Sequence, residues 1–92
     1  MSSKTFNGTI IAGHKDDAIE VPFDPAQTLG VKIAAIKPGR RGFPVRAMIR
    51  SVGFDSHVVA RSTKFWLLLP MAIERQIGAS EGDEVSVTLS AR

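Results

Sequence analysis

Apolar and polar residues alternate along most of this chain, and this period of two is the feature that most restricts its fold. Near the C-terminus, Val85, Val87, Leu89 and Ala91 alternate with serine and threonine residues. Because successive side chains of a strand point to opposite faces, this segment is predicted to be a strand with one buried face. Six similar segments precede it, at residues 6–12, 18–23, 31–37, 43–50, 54–60 and 63–69. Seven short, closely connected strands predict a mainly β protein with a closed or nearly closed barrel.

Two segments interrupt the strand pattern, and they resemble each other. Each has a proline, seven residues that end in Leu or Ile, and a glycine: Pro22 to Gly30 and Pro70 to Gly78. Proline suits the first turn of a helix and glycine suits its left-handed end, so two short capping helices are predicted. Asp24 is the expected N-cap of the first helix. The likeness predicts one pseudo-duplicated domain over residues 1–92 with two similar halves, and chance similarity is the alternative.

In the second of these helices, Ile73 and Ile77 are four residues apart. Residues at this spacing share one face of a helix, so the two isoleucines are expected to close one end of the barrel.

Composition excludes several classes of protein. The chain has 92 residues and no cysteine, which leaves room for one domain and excludes disulfides, thiol catalysis and cysteine-bound zinc. Its longest apolar run, Phe65 to Leu69, is far shorter than the ~20 residues of a membrane span. The N-terminal MSSKTFNGTI lacks the apolar stretch of a secretory signal. We therefore expect a soluble cytoplasmic protein with no membrane association.

The segment FWLLLPMAIERQIGASEGDEVSVTL resembles the strand, proline, short helix and Gly-Asp-x-Val-x-Val pattern of double-split β-barrels. That superfamily includes the AbrB, MazE and MraZ domains of transcription factors and antitoxins. AbrB-type domains are half-barrels that dimerise to close the sheet. Since this chain carries both proline-to-glycine segments, we expect its barrel core to close as a monomer.

Nearly the whole chain is similar to a bacterial family of domains of unknown function. The pattern runs from Phe6 to Ile10, from Ile19 to Asp24 with Gly30, and from Ile77 to Val87. Some relatives are fused to a YdeI/OmpD-associated bacteriocin-protection domain, which this chain is too short to contain. The resemblance implies a double-split barrel and transfers no catalytic residues.

No catalytic constellation emerges from the sequence. In Asp55-Ser56-His57, strand geometry turns Ser56 away from both neighbours, so it lacks the adjacent base that a nucleophile needs. His14 and His57 do not have the spacing of a zinc site. PGRRG does not fit a phosphate-binding P-loop. We therefore predict a protein that is not an enzyme, with no catalytic residues, metal ligands or cofactor.

The charge distribution points to a binding surface. Residues 32–64 contain eight Lys and Arg residues and only Asp55, whereas the flanks contain four Lys and Arg residues and eight acidic ones. A basic middle between acidic ends is typical of a site for an anion. Ordinary solvated surface explains the same pattern equally well.

Two central strands allow the faces to be assigned. The residues expected to face inward are Phe43, Val45, Ala47, Ile49, Phe54, Ser56, Val58 and Ala60. The residues expected on the outer face are Arg46, Met48, Arg50, Asp55, His57, Val59 and Arg61. A turn at Gly53 would pair Arg50 with Asp55 and Met48 with His57, and a turn at Arg61-Ser62 would pair Val59 with Lys64 and His57 with Trp66. The predicted ligand-binding cluster is therefore Arg46, Arg50, His57, Arg61, Lys64 and Trp66.

Two hypotheses of function follow. The first is a non-catalytic module that binds an anionic ligand or nucleic acid through the basic surface of residues 40–64, with Trp66 as a stacking platform. The second is a pocket for a small molecule or peptide, lined by Trp66, His57 and Met48. A structural role in a larger assembly is a third possibility. Trp66 lies in an apolar run, so burial in the core is as consistent with the sequence as exposure.

Overall fold

The computed structural model describes residues 3–13 and 15–92, a range that leaves out Met1, Ser2 and His14. Its strands are β1 (Ser3–Ile11), β2 (Asp17–Val21), β3 (Ala34–Lys37), β4 (Arg40–Ile49), β5 (Val52–Arg61), β6 (Lys64–Leu69) and β7 (Glu84–Ala91). Helix α1 (Pro25–Leu29) follows β2, and helix α2 (Met71–Ile77) follows β6. The predicted mainly β class is confirmed, with its short strands and two short helices.

Six of the strands form a closed barrel. Each strand of the barrel is antiparallel to the next, in the order β4, β5, β6, β2, β1 and β7, and β7 pairs with β4 to close the ring. The remaining strand, β3, pairs only with β4 and lies outside the ring. The predicted closure is therefore confirmed, and it takes place within one chain. The two strands that precede the helices, β2 and β6, are direct neighbours in the barrel.

Both helices end as their sequences predict, and α1 also begins as predicted, whereas α2 begins at Met71 with Pro70 as its extended N-cap. The carboxylate of Asp24 accepts a hydrogen bond of 2.8 Å from the backbone N–H of Ala26, with Pro25 in the first turn of α1. Gly30 and Gly78 end the two helices in the left-handed conformation, with φ of 70° and 68°. A residue with a Cβ would be strained there, which explains the two glycines.

The barrel interior is packed with aliphatic side chains. Val45, Ala47 and Ile49 of β4 have no exposed surface, as the alternation predicts. Burial of each larger aliphatic side chain stabilises the fold by about 1.5–3 kcal/mol. Ile77 is buried and Ile73 packs against the core, so the prediction that these two residues share the inner face of α2 is confirmed.

Two residues of β5 differ from their expected environments. Val59 is on the outer face yet only 8% exposed, because the loop after β1 and the hairpin of β3 and β4 extend over this part of the barrel. Ala60 is exposed, since it lies next to the end of β5, opposite Phe65. The other inward residues predicted on β4 and β5 are buried or half-buried.

The predicted pairing of β4 with β5 is wrong. Arg50 and Ser51 form the turn, with φ of 50° and 67°, and Arg46 instead of Arg50 lies opposite Asp55. Met48 lies opposite Gly53 and not opposite His57. Tight hairpin turns with two positive φ angles usually contain Asn or Gly. The turn of Arg50 and Ser51 contains neither residue, so the prediction placed the turn at the nearby Gly53 instead.

The predicted pairing of β5 with β6 is wrong for the same reason. The turn consists of Ser62 and Thr63, with φ of 53° and 65°, so that Val59 lies opposite Trp66 and Arg61 opposite Lys64. Both errors shift a strand by an even number of residues. An even shift keeps every side chain on its predicted face and changes only its neighbours.

Candidate binding cleft

The structure does not bring the six predicted binding residues together. Arg46 lies beside Asp55 near one end of β5, whereas Lys64 lies beside Arg61 at the other end. These positions on β5 are six residues apart, or about 20 Å along a strand. The surface predicted across residues 40–64 is therefore divided into separate parts.

Arg50 anchors a helix. Its guanidinium Nη1 donates hydrogen bonds to the carbonyl oxygens of Ile77, at 3.0 Å, and Gly78, at 3.4 Å. These carbonyls lie at the C-terminal end of α2, where no further helical turn supplies N–H donors. A cation is also favourable at this end of a helix. The contacts of Arg50 thus connect the turn between β4 and β5 to α2.

Arg46 and His57 belong to a second cluster. Arg46 Nη1 lies 3.1 Å from Asp55 Oδ1, and Arg92 Nη1 lies 3.8 Å from Asp55 Oδ2. Arg92 Nη2 lies 3.0 Å from Nε2 of His57. Arginine has no acceptor, so it donates to a neutral imidazole. Partial burial lowers the pKa of His57, and the charges of Arg92 and Arg40 lower it further.

A cleft of about 520 Å³ lies on the outer face of β5 and β6. One wall is the loop between β1 and β2, and the other is the turn between β3 and β4. Its floor includes Val59, Trp66 and Leu68. Of the three residues predicted to line a pocket, Trp66 does so, whereas His57 and Met48 are outside the cleft. We call this site the basic cleft.

Trp66 is half-buried in the floor of the cleft, an environment between the two that the sequence left open. Its neighbours across the sheet are Glu20 on β2 and Val59 on β5. Phe65 points to the other face and packs edge-to-face with Phe43, at a centroid distance of 6.1 Å. Alternate residues of the apolar run around Trp66 therefore pack in the core, whereas Trp66 and Leu68 line the cleft.

Four basic side chains line the basic cleft: Lys15, Lys37, Arg40 and Arg61. Lys15 and Lys37 come from opposite walls and lie side by side. The short-range interaction with the Lys15 amino group and the repulsion between the two charges lower the pKa of Lys37, and desolvation and the charge of Arg40 lower it further. Among the described residues that line the cleft, Asp16 is the only acidic one.

The ion pairs of the described residues involve other basic groups. Arg46 and Arg92 pair with Asp55, and Lys64 lies 3.7 Å from Glu20. None of these pairs includes a basic residue that lines the cleft. The cleft therefore keeps an excess of positive charge over its apolar floor, and it can accept an anion without first breaking an internal ion pair.

Gly42 allows the β3–β4 hairpin to lie close to the barrel. A Cβ at this position would be 2.8 Å from Cδ1 of Ile36 and 3.1 Å from the carbonyl oxygen of Val58. Both distances are shorter than ordinary contact, so a larger residue would require the Ile36 side chain and the neighbouring backbone to shift. Since the same hairpin carries Lys37 and Arg40, Gly42 helps to determine the position of the basic wall.

A family model described as a domain of unknown function, DUF1905, matches residues 6–89. The chain belongs to this family. The expectation from sequence of a family of domains of unknown function is thereby confirmed. No curated protein matches the chain. Membership of DUF1905 assigns no activity, so the site must be argued from its own residues.

Two further findings concern only the part of this DUF1905 domain that the structure describes. Among residues 3–13 and 15–92, no helix has the length and apolar composition needed to cross a membrane. The same residues contain no group of three or more His, Cys, Asp or Glu side chains arranged to hold a metal ion.

Sequence reasoning did not identify three residues of the DUF1905 cleft. Lys15 and Asp16 lie in a loop whose charges were not assigned to the site, and Lys37 was counted only as part of the basic middle. Arg40 falls within the basic surface of residues 40–64 that the sequence predicts, but outside the predicted cluster of six residues. The approach of Lys15 to Lys37 depends on two loops about 20 residues apart in sequence, and no local pattern indicates it.

Proposed function

We propose that this DUF1905 domain is a non-catalytic binding module that takes a small amphipathic anion in the basic cleft. The observation that carries the proposal is one cleft that is lined by Lys15 and Lys37 on its two walls and by the half-buried Trp66 in its floor. An anionic group would bind the two ammonium groups, and an apolar body would cover the indole. The proposed site thus has a feature of each predicted hypothesis, the basic residues of an anion site and the apolar floor of a pocket. It lies at a different place from the predicted cluster.

The arrangement of like charges supports a binding role. Lys37 lies opposite Arg40 across one turn, and Arg61 lies opposite Lys64 across another. Like charges directly opposite each other destabilise a sheet. The repulsion between the cations that line the cleft does not stabilise the fold. A bound anion would relieve this repulsion.

The cleft also meets the physical requirements of a small-molecule site. Its volume of about 520 Å³ lies within the ~300–1,000 Å³ that such sites usually occupy. The floor supplies apolar contact from Val59, Trp66 and Leu68, while the charges lie along the walls. This division of polar and apolar surface favours a ligand with a charged group attached to a flat or compact apolar body.

The test is a fluorescence titration, because Trp66 is the only tryptophan in the chain. We expect phenyl phosphate and 3-phenylpropionate to change the Trp66 emission, and phenol and 3-phenylpropanamide to bind at least about 10-fold more weakly. Affinity for the anions should also fall as salt concentration rises. Equal affinity for the neutral and charged compounds would contradict the proposal.

A matched pair of variants separates the cleft from the broader basic surface that the sequence predicts. Lys15→Ala removes a cation from the cleft, and Arg46→Ala removes one from the cluster around Asp55. Both residues are exposed. We expect the first variant to weaken anion binding and the second to leave it unchanged. If Arg46→Ala weakens binding equally, the alternative of a polyanion surface is favoured instead.

Several broader expectations belong to the same proposal. We propose a cytoplasmic bacterial protein with two similar halves, distantly related to AbrB-like domains and to chains fused to YdeI/OmpD-associated domains. We also propose a monomeric core, supported by closure of the six-stranded ring within one chain. Light scattering that finds only a dimer at micromolar concentration would exclude the monomer. A purely structural role in an assembly would predict no ligand-dependent change at Trp66.

A further inference from the structure

We propose that the anion bound by the basic cleft is a nucleoside phosphate, with its base against Trp66 and its phosphate between Lys15 and Lys37. This inference rests on the proposed function and specifies the class of ligand. It combines three features of the same cleft: the number of basic groups, the aromatic floor and the carboxylate of Asp16.

The basic groups suit a phosphate better than a carboxylate. Lys15, Lys37, Arg40 and Arg61 line one cleft of about 520 Å³. A terminal phosphate has three acceptor oxygens and close to two negative charges at neutral pH. It can therefore accept hydrogen bonds from both lysines and from the guanidinium fork of Arg40 at once. A carboxylate has one charge and two oxygens, which leaves the repulsion between these cations largely unrelieved.

The floor suits a planar ring. Trp66 is half-buried, lies between Glu20 and Val59 in the sheet register, and lines the cleft. Stacking of a nucleobase on an aromatic side chain contributes about 1–3 kcal/mol and tolerates any base, because every base has a π-face. The single indole of this chain offers a platform for one base.

Asp16 distinguishes a nucleoside phosphate from a simple aromatic phosphate. Asp16 lines a cleft that otherwise attracts anions, and its carboxylate would repel the phosphate of any ligand placed beside it. A carboxylate in such a site is favourable where the ligand presents donors to it. The amino group of a base and the hydroxyl groups of a ribose are donors of this kind, whereas phenyl phosphate has none for Asp16.

The experiment compares AMP, adenosine, inorganic phosphate and phenyl phosphate at constant ionic strength, with calorimetry and Trp66 fluorescence as readouts. We expect AMP to bind at least about 10-fold more tightly than each of the other three, since only AMP has phosphate, base and ribose together. Phenyl phosphate binding as tightly as AMP would overturn the inference and leave the proposed function intact. Failure of every anion to bind would overturn both.

Two exposed residues provide the matched variants. Asp16→Asn should reduce the preference for AMP over phenyl phosphate, whereas Lys15→Ala should weaken both ligands. Asp16→Asn without any change in this preference would also overturn the inference. Circular dichroism of each variant verifies that the barrel is folded.

A nucleoside phosphate has two sources, a free nucleotide and the end of a single strand. Titration with a short deoxyadenosine strand, with and without a 5′-phosphate, distinguishes them. Tighter binding of the phosphorylated strand than of AMP would assign the cleft to strand ends, and the reverse order would assign it to free nucleotides. Equal binding of the two strands, both tighter than AMP, would overturn the inference in favour of the sugar-phosphate backbone.

Discussion

Two pairs of like charges lie on either side of the loop between β1 and β2. On one side, Lys15 meets Lys37 across the basic cleft, and on the other, Asp17 meets Glu74 of α2. In the acidic pair, burial raises the pKa of Glu74 to about 7, together with its hydrogen bond to Asp17 and the charges of Asp17, Asp16 and Glu81.

The two pairs relieve their repulsion in different ways. The acidic pair can hold a proton between its carboxyl groups near neutral pH, so that one internal hydrogen bond replaces the repulsion. The basic pair is fully exposed, and its lysines have donors but no acceptor. Only a group from outside can bridge them. The comparison indicates that a proton can bridge the acidic pair internally, whereas the two lysines cannot bridge each other.

The largest effect is expected from Lys37→Glu, which makes the basic pair resemble an ordinary ion pair. The new carboxylate can bind Lys15, so we expect slightly higher thermal stability at low salt. Affinity for phenyl phosphate should fall about 10- to 100-fold, because one charged hydrogen bond is lost and a repulsive charge is added. Calorimetry and thermal melting measure the two effects. Lys32→Glu, in the exposed segment before β3, is the control, and a comparable loss in that variant would contradict the assignment.

Arg50→Ala should have the next largest effect, on the acidic side. Loss of the hydrogen bonds to Ile77 and Gly78 removes the anchor of α2, which we expect to lower the free energy of unfolding by about 1–2 kcal/mol. Anion binding should not change, because Arg50 lies outside the cleft. Chemical denaturation gives the stability and fluorescence titration gives the affinity. A loss of anion affinity at unchanged stability would contradict this assignment and indicate that Arg50 is part of the binding surface, as the sequence predicts.

Gly42→Ala tests whether the hairpin holds Lys37 in position. The added Cβ would approach Ile36 and the carbonyl oxygen of Val58, and we expect a loss of about 1 kcal/mol in stability and weaker anion binding. Ile36→Val removes the Cδ1 atom that the new Cβ would meet. The double variant should therefore recover part of both losses, and no recovery would indicate that the backbone contact with Val58 dominates.

Glu74→Gln should have the smallest effect, visible in the pH dependence of stability. The pKa of Glu74 is raised from the ordinary 4.5 to about 7 in the folded protein. Between these values the folded state therefore binds more protons than the unfolded state. The contribution of Glu74 to the free energy of unfolding is therefore fully present below about pH 4.5 and falls as the pH rises towards 7.

We expect thermal melting of the unaltered protein to show this fall, reduced by solvent screening because Glu74 is only partly buried. The Gln variant should show a flatter profile over the same range. Glu84→Gln, on the exposed face of β7, is the matched control. If both variants keep the full slope, the shared proton is not its source.

The site was harder to predict than the fold, and Arg46, Arg50 and Trp66 show why. Period-two alternation predicts an outward position for all three; Arg46 and Trp66 are on the outer face, whereas Arg50 lies in the turn after β4. Their neighbours depend on the number of residues in each turn. Because Arg50, Ser51, Ser62 and Thr63 adopt positive φ without glycine or asparagine, the usual signal of the turn was missing.

The sequence by itself determined the short strands, their buried faces and the two capped helices, because each depends on residues within one or two turns of the chain. Tertiary structure alone decided which strand stays outside the ring and which charges meet. Lys15, Lys37 and Trp66 come together because barrel closure brings separate loops over one face. Contacts of this kind depend on strand order and register, and local periodicity contains no information about them.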